Sequence, residues 1–358
     1  MKTCMRPAAL LAAALFVCAP GAQAQDDAPL TPASHMKADM GGGTSGLKRL
    51  AIPTFMVQFV RDQGIERDAG TFGMFQGQSA TFFTQVRGAD PAVLQQVADG
   101  LYDALVADLK AAGIEVVPQA ELDAHPDYQE IRKIARPSPF TDAFNTGTRR
   151  DKRMGVNVFV SARGLPLVLR TVADRRWLDS GYGAEGLSGM TLVLGPGKVA
   201  QSLKAGMLNV RLTIAMVEQK GKGWGGVSAR PDFVLNRWVR TASSGWEFET
   251  DPFARYVEAG TLFALTNGGA DLNPNPWVMA LSQPVPIVGL EISGTKGEGG
   301  NARGSGLLGA IARAATGGDT TAADLYIDVQ PANFVERSLT DGKRVVRLMT
   351  EAIATGLK

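Results

Sequence analysis

The sequence predicts an α+β fold in which a strand-helix-strand α/β layer is extended by antiparallel strands and closed by an amphipathic helix. Three observations carry the prediction. An apolar run at 50–60 leads, through a loop, to a well-capped helical pattern at 91–112 and a short apolar run at 114–117. A strictly alternating segment at 208–219 is answered by a second at 233–241. The segment 343–357 gathers Val345, Leu348, Met349, Ala352 and Ile353 on one helical face.

The chain has 358 residues, 45% of them hydrophobic and 20% charged, which is enough apolar material for two ordinary domains or one large one. Its start reads as an export signal. Lys2 and Arg6 are followed by an apolar stretch at 8–17 and the small-residue end Ala22-Gln23-Ala24, so cleavage is expected before Gln25. The bulky Val17 before Cys18 argues against lipid attachment, and no later apolar run reaches the roughly 18 residues of a spanning helix. The expected location is the periplasm or the exterior of a bacterium.

Of 37 basic and 35 acidic residues, Lys2 and Arg6 fall in this signal and leave 35 of each, so nucleic acid is not an expected partner. Cys4 and Cys18 fall there too, which leaves the mature chain without disulfides, thiolate chemistry or cysteine metal sites. Only His35 and His125 remain as imidazoles.

After the signal (1–24), residues 25–46 are rich in Asp, Ala, Pro, Gly and Ser and read as a flexible leader. The first folded portion is expected at 47–153. The second, 154–358, is a mixed α+β portion that is either separate or continuous with the first. The run LAIPTFMVQFV at 50–60 is apolar on both faces and reads as a buried strand, with Pro53 marking an edge or a bulge. Polar residues 61–71 read as a loop. Asp90 as cap, Pro91 at the first position, apolar Leu94, Val97, Leu101, Leu105 and Leu109, and Gly113 as the stop predict a helix over 91–112. A second helix is expected at 121–135, ended by Pro137 and Pro139, and a charged loop at 146–153.

Further strands are expected at 156–161, 165–172, 190–194 and 208–219, the last half-buried. The turn 220–226 joins it to a returning strand at 233–241. Asp251-Pro252 starts a helix carrying Phe253, Tyr256, Val257 and Phe263, with Gly268-Gly269 at its end. Strands at 285–293 and 323–329 precede the closing helix.

The opening unit, with Ile52-Pro53-Thr54-Phe55 in the strand, the helix 91–112 and the phrase Gly113-Ile114-Glu115-Val116-Val117, covers 50–122 and resembles a known exported module. It is similar to the anticodon-binding-like α/β domain of the curli-secretion channel family and of the Tol β-propeller protein's amino-terminal region. That resemblance implies an envelope binding or assembly module. The channel family carries an acylated cysteine at its mature start, where this chain has Gln25, which favours the module over a membrane pore.

Several motifs invite chemistry and fail on context. Gly-x-Gly-x-x-Gly patterns at 181–186 and 304–309 lack the preceding buried strand or the correctly placed acid of a dinucleotide site. Residues 191–205 mimic a phosphate loop around Lys198, but Leu192 replaces its first Gly and Val199 its Ser or Thr. Ser-x-x-Lys at 45–48 and 293–296 has no partner motifs. His125 between Asp123 and Asp127 reads as helix-start capping more than as a metal site.

No cofactor, metal or catalytic set is expected. The candidate contact residues are the basic cluster Arg149, Arg150, Lys152 and Arg153, suited to a phosphate-bearing or acidic partner, and Trp224 in the glycine-rich turn. The expectation is a non-enzymatic binding or assembly protein of the envelope, with a protein or glycan partner. The alternatives are one subunit of a homo-oligomeric channel ring and, third, a hydrolase of an envelope glycan.

Overall fold

A computed structural model describes residues 30–40, 45–68, 79–148, 151–169, 197–216, 218–219, 227–228, 232–233, 239–241, 245–247, 261–266, 277–282, 285, 287–290, 292–296 and 323–357. The fold is α+β. Helix α1 (Pro32–His35) leads into β1 (Met36–Met40). Then come β2 (Arg49–Asp68), β3 (Ser79–Arg87), α2 (Pro91–Ala111), β4 (Glu115–Val116), α3 (Gln119–Asp123), α4 (Pro126–Lys133) and the hairpin β5 (Phe140–Thr148) and β6 (Asp151–Ser161). A short helix α5 at 197–203 precedes β7 (Gly206–Ala215). Short strands β8 (Glu218–Gln219), β9 (Val227–Ser228), β10 (Asp232–Phe233), β11 (Val239–Thr241) and β12 (Gly245–Glu247) follow. The chain continues through β13 (Leu262–Thr266), β14 (Trp277–Leu281), β15 (Ile292–Lys296), β16 (Ala323–Val329) and α6 (Pro331–Gly356).

Among the described residues twelve strands share one mixed sheet, ordered β1-β14-β13-β7-β2-β3-β16-β15, with β4 and β6 also on β2, β5 on β6 and β10 on β7. Residues on both sides of position 153 therefore belong to one sheet, and β6 itself spans that point.

The twenty-residue β2 organises the sheet by serving four partners. Its first half pairs in parallel with β7 from Leu50 to Val60, while Met56 to Arg67 pair antiparallel with β6. Because these ranges overlap, β6 and β7 occupy opposite edges of β2. From Gln63 to Asp68 the edge held by β7 passes to β3. At this exchange stands Asp62, only 1% exposed. Its Oδ1 accepts the Val86 N–H of β3 at 3.1 Å, and its Oδ2 accepts Arg61 Nε and Nη2 at 3.0 and 2.7 Å. A bulge between Val60 and Asp62 turns this residue relative to β6.

Pro53 lies in a second irregularity, where three steps along β2 match two along β7. A proline has no N–H to donate, so it is tolerated where one residue drops out of the ladder. The carbonyl of Pro53 is taken by the hydroxyl of fully buried Tyr128, at 2.9 Å.

Helix α2 forms where the capping signals place it. The Asp90 side chain accepts the Val93 N–H at 2.9 Å, and Gly113 ends the helix with φ +79°, a conformation open to glycine. Its buried row packs with α6 on one sheet face against Phe55, Val57 and Phe59 of β2, Val158 and Val160 of β6 and Leu208, Val210, Leu212 and Ile214 of β7. Each such side chain contributes about 1.5–3 kcal/mol by leaving water. Gly100 lets α6 approach closely, since a Cβ there would lie 2.7 Å from Leu339.

A second core occupies the other face, where Ala51 and Met207 meet Leu122, Tyr128, Ile131, Val168, Val199 and Ala200. Arg49 ties this layer to the sheet through Glu121 and Glu115, each at 2.7 Å, and the Leu203 carbonyl at 2.6 Å. Glu121 first and Glu115 second raise the guanidinium pKa further above its ordinary value.

Several expectations are corrected. The leader is not uniformly flexible, because 36–40 form β1, which has β14 to pair with and Met36 to bury. Residues 61–68 continue β2 instead of looping, since β3 and β6 satisfy their backbone. The helix expected at 121–135 is two helices, with Pro126 in the first turn of α4. The charged loop at 146–153 is strand at both ends, with only 149–150 between β5 and β6.

Strand β7 is buried on both faces, since a core lies on each. Phe263 stands in β13, paired with Val210, and not in a helix. The strand expected at 285–293 starts only at Ile292, and α6 starts at Pro331, twelve residues before the amphipathic pattern suggested it. Residues 165–169 make a single bridge, Arg136 with Leu167, in place of a strand. The strand at 190–194, the helix start at 251–260 and most of the return at 233–241 lie outside the described residues.

Two predictions follow from these contacts. Asp62→Ala strands both the Val86 N–H and the Arg61 guanidinium, and is expected to lower unfolding free energy by about 3 kcal/mol in a urea titration; a loss under about 1 kcal/mol would show that the branch is held by something else. Burial pushes the Tyr128 hydroxyl up to about 12. The native state thus holds its proton while the unfolded chain gives it up from about 10, so stability present below that pH is lost as pH rises toward 12. Tyr128→Phe should cost about 1–2 kcal/mol at neutral pH and flatten this alkaline decline. An unchanged alkaline slope in the phenylalanine variant would refute the assignment.

Candidate functional site

Two features stand out from an ordinary packed sheet. The first is a ribbon. At about 3.3 Å per residue β2 runs about 65 Å, against about 31 Å for α2 and about 39 Å for α6. The helices therefore cannot follow β2 along its whole length, and its second half continues as the antiparallel set β3-β2-β6-β5.

The register extends to the end of this ribbon, with Arg67 opposite Asp151 and Thr148 opposite the same residue from β5. β5 pairs with β6 alone, so among the described residues its other edge is open. Thr141, Asp142 and Ala143 on it are exposed. At its base Phe140 and Phe159 pack with ring centroids 6.4 Å apart, and the Arg136 guanidinium lies 5.6 Å from the Phe140 ring centre.

The basic cluster belongs to this ribbon. Lys152 stands in register with Gly147 on β5 and Glu66 on β2, and Arg153 with Thr146 and Ile65. Arg149 and Arg150 fall between the two strands, outside the described residues, as does Trp224. The structure thus sets Lys152 and Arg153 on β6, one strand in from the edge strand β5, a placement not evident from the charge run alone.

The second feature was missed by sequence reasoning. On the sheet face away from α2 and α6, register places Thr54 beside Asn209, Gln58 beside Thr213 and Arg211 beside Met56. Asn157 of β6 joins them opposite Val60. All six polar residues are buried, Asn157 to 2% and Arg211 to 8% exposure. The Thr54 hydroxyl donates to Asn209 Oδ1 at 2.8 Å, the Thr213 N–H to Thr261 Oγ1 at 3.0 Å, and the Arg211 guanidinium to the Leu169 carbonyl. Asn157 Oδ1 has no hydrogen-bond partner among the described residues.

The signal for this patch was partly present, in Asn209, Arg211 and Thr213 alternating with the apolar face of β7. Thr54 and Gln58 were hidden inside a run that reads as apolar throughout. The patch supplies donors, acceptors and one guanidinium, without carboxylate, imidazole or thiol. It can orient polar groups, and among the described residues it offers no proton acceptor for general-base work.

Among the described residues, the remaining motifs do not assemble into a site. His125 precedes α4, its carbonyl accepting the Tyr128 and Gln129 N–H groups at 3.1 Å, and its Nδ1 lies 3.9 Å from Asp127 and has no hydrogen-bond partner among the described residues. Lys198, from the phosphate-loop-like stretch, reaches the same Asp127 at 3.8 Å, and its helix α5 gives Val199 and Ala200 to the second core. His35 Nδ1 is 2.7 Å from the Ser34 hydroxyl.

Both Gly-x-Gly-x-x-Gly stretches lie outside the described residues. Among the described residues no group of three or more His, Cys, Asp or Glu could hold a metal ion, and no helix is long and apolar enough to cross a membrane. Comparison with known protein families, curated proteins and solved structures yields no match.

The buried pair gives a direct test of the patch. Asn209→Leu should cost about 1–3 kcal/mol by leaving the Thr54 hydroxyl unsatisfied, and adding Thr54→Val should recover a substantial part of that loss. Additive losses in the double variant, read from urea midpoints, would mean that the pair is not coupled.

Proposed function

We propose that this chain is an exported, non-enzymatic binding or assembly protein of a bacterial cell envelope that engages its partner along the open edge of β5. The observation that carries the reading is the nine-residue β5, with neighbours on one side only among the described residues and the basic stretch at its far end. An open edge presents a row of free N–H and C=O groups that an extended segment can complete as a further strand. Arg149, Arg150, Lys152 and Arg153 favour a partner with acidic or phosphate groups near that end. The signal-like first 24 residues support export. The likeness of 50–122 to the α/β module of the curli-secretion channel family and the Tol β-propeller protein supports an envelope role.

A second reading, a subunit of a homo-oligomeric ring, is favoured by one further observation. Among the described residues β15 pairs with β16 alone and ends the sheet on its opposite side. Two different free edges on one sheet allow head-to-tail pairing of copies, which closes into a ring when the rotation permits.

The test is fractionation of the native protein with salt and carbonate washes, followed by native mass, beside Thr141→Pro and Asp142→Pro. In an antiparallel ladder consecutive residues direct their N–H groups to opposite sides, so one of these two prolines removes an outward donor and leaves the β6 pairing alone. The wild type is expected in an assembly heavier than one chain, and that variant is expected folded but released. A single-chain mass for the wild type, or an assembly untouched by both prolines, would overturn the β5 reading. A closed ring of fixed stoichiometry would favour the second.

A further inference from the structure

The leader contributes a strand, and the residues on either side of that contact suggest what it is for. β1 adds antiparallel to β14, with Met36 opposite Leu281, Lys37 opposite Ala280 and Ala38 opposite Met279, and then shifts register before Met40. Beyond β14 the segment also touches α6. Met36 is buried in the main core, while Lys37 and Ala38 are exposed. The His35 carbonyl accepts the Ser282 N–H at 2.6 Å, the Ser34 carbonyl accepts the Ser282 hydroxyl at 3.2 Å, and the Leu357 carbonyl accepts the Gly46 N–H at 2.8 Å.

The two strands differ sharply in chemistry. β14 is Trp277-Val278-Met279-Ala280-Leu281, with no charge, proline or glycine, and Val278, Ala280 and Leu281 are buried. Such a segment with a bare edge has the composition of a self-pairing strand. β1 is Met36-Lys37-Ala38-Asp39-Met40, with two charges in five residues. By pairing with β14 it replaces a charge-free edge by one carrying both a lysine and an aspartate, the residue types that natural sheets use to discourage further pairing.

We infer that residues 30–40 are an intramolecular edge guard, which opens more readily than the body of the sheet and which, when displaced, leaves β14 to pair with β14 of a second copy about a two-fold axis. The copy is the occupant that the geometry fits, because antiparallel pairing of a strand with itself is isologous and closes at two. This surface is separate from the β5 edge, and the inference does not depend on the function proposed for that edge.

Two measurements test it. In hydrogen exchange on the intact chain, β1 amides are expected to exchange at least about tenfold faster than those of β13, as a separately opening unit would; equal protection of β1 and β13 overturns the inference. In light scattering after size exclusion, Met36→Asp should double the wild-type mass in a concentration-dependent way.

Adding Ala38→Cys and Met279→Cys, which stand in register, with Cys4 and Cys18 changed to Ser, should restore the wild-type mass when oxidised and lose it on reduction. A folded Met36→Asp chain of unchanged mass, or a dimer that survives the oxidised lock, overturns the inference. So does a dimer abolished by the β5 prolines, which would place the contact on the other edge. If Met36→Asp does not fold, the exchange measurement alone decides.

Discussion

The arrangement depends on one constraint: a single strand must serve two sets of neighbours along one edge. β7 fills that edge up to Val60 and β3 from Gln63 onward, so the backbone between them has to hand over without leaving buried donors unpaired. Asp62 resolves this with a carboxylate that accepts from β3 and is neutralised by the adjacent Arg61. A buried charge is costly unless it is paired and hydrogen-bonded, and here both oxygens are engaged. An apolar residue at this position would pack, but it would leave the Val86 N–H facing the junction without an acceptor. The helix-covered core and the ribbon meet at this side chain.

The same strand explains why the sheet's two faces differ. Above β2 the two long helices demand a continuous apolar surface, and Phe55, Val57 and Phe59 supply it. Below, coverage is divided among short elements, and the residues there divide accordingly. Near the start of β2, Ala51 and Met207 meet the small second core, whereas Thr54, Gln58, Asn209, Arg211 and Thr213 form a hydrogen-bonding surface a few residues further along. Buried polar groups of this kind contribute little net stability when satisfied and cost a great deal when not. They restrict what can lie against this face more than they strengthen it.

The parts of this structure legible in the sequence are those where local signals and tertiary demand agree. Helix α2 carried its cap, its first-turn proline, its apolar row and its stop in one stretch, and it formed where they placed it. The irregularity at Pro53 was legible because proline cannot complete a ladder wherever it sits. What was hidden is what only pairing reveals. Residues 61–68 look like a loop because their polarity describes side chains, while their strand state comes from backbone bonds to β3 and β6. Phe263 fits a helical spacing, yet it belongs to β13 because a central position between β7 and β14 was available. The start of α6 was missed because Pro331 to Thr340 carry few apolar residues; Phe334 alone anchors that turn deeply, against Phe59 at a centroid separation of 6.4 Å. Of the candidate contact residues, Lys152 and Arg153 acquired a structural setting, and no feature of the charge run foretold that these two would lie in a strand.

A sheet assembled in this way ends in several edges, and their residues differ in how strongly they resist pairing. β1 sets Lys37 and Asp39 within five residues, and β15 has Lys296 in five. β5 offers only Asp142 in nine, with threonine, phenylalanine and alanine around it. Charge density on an edge strand is one of the few devices that discourages unwanted pairing at little structural cost. Its uneven use here is therefore informative: the leader supplies charges where β14 has none, and the long hairpin is left nearly undefended. A protein that had to avoid every strand addition would guard the longest edge first. Here the five-residue β1 carries two charges and the nine-residue β5 one, so on charge alone β5 is, among the described residues, the edge less protected against strand addition.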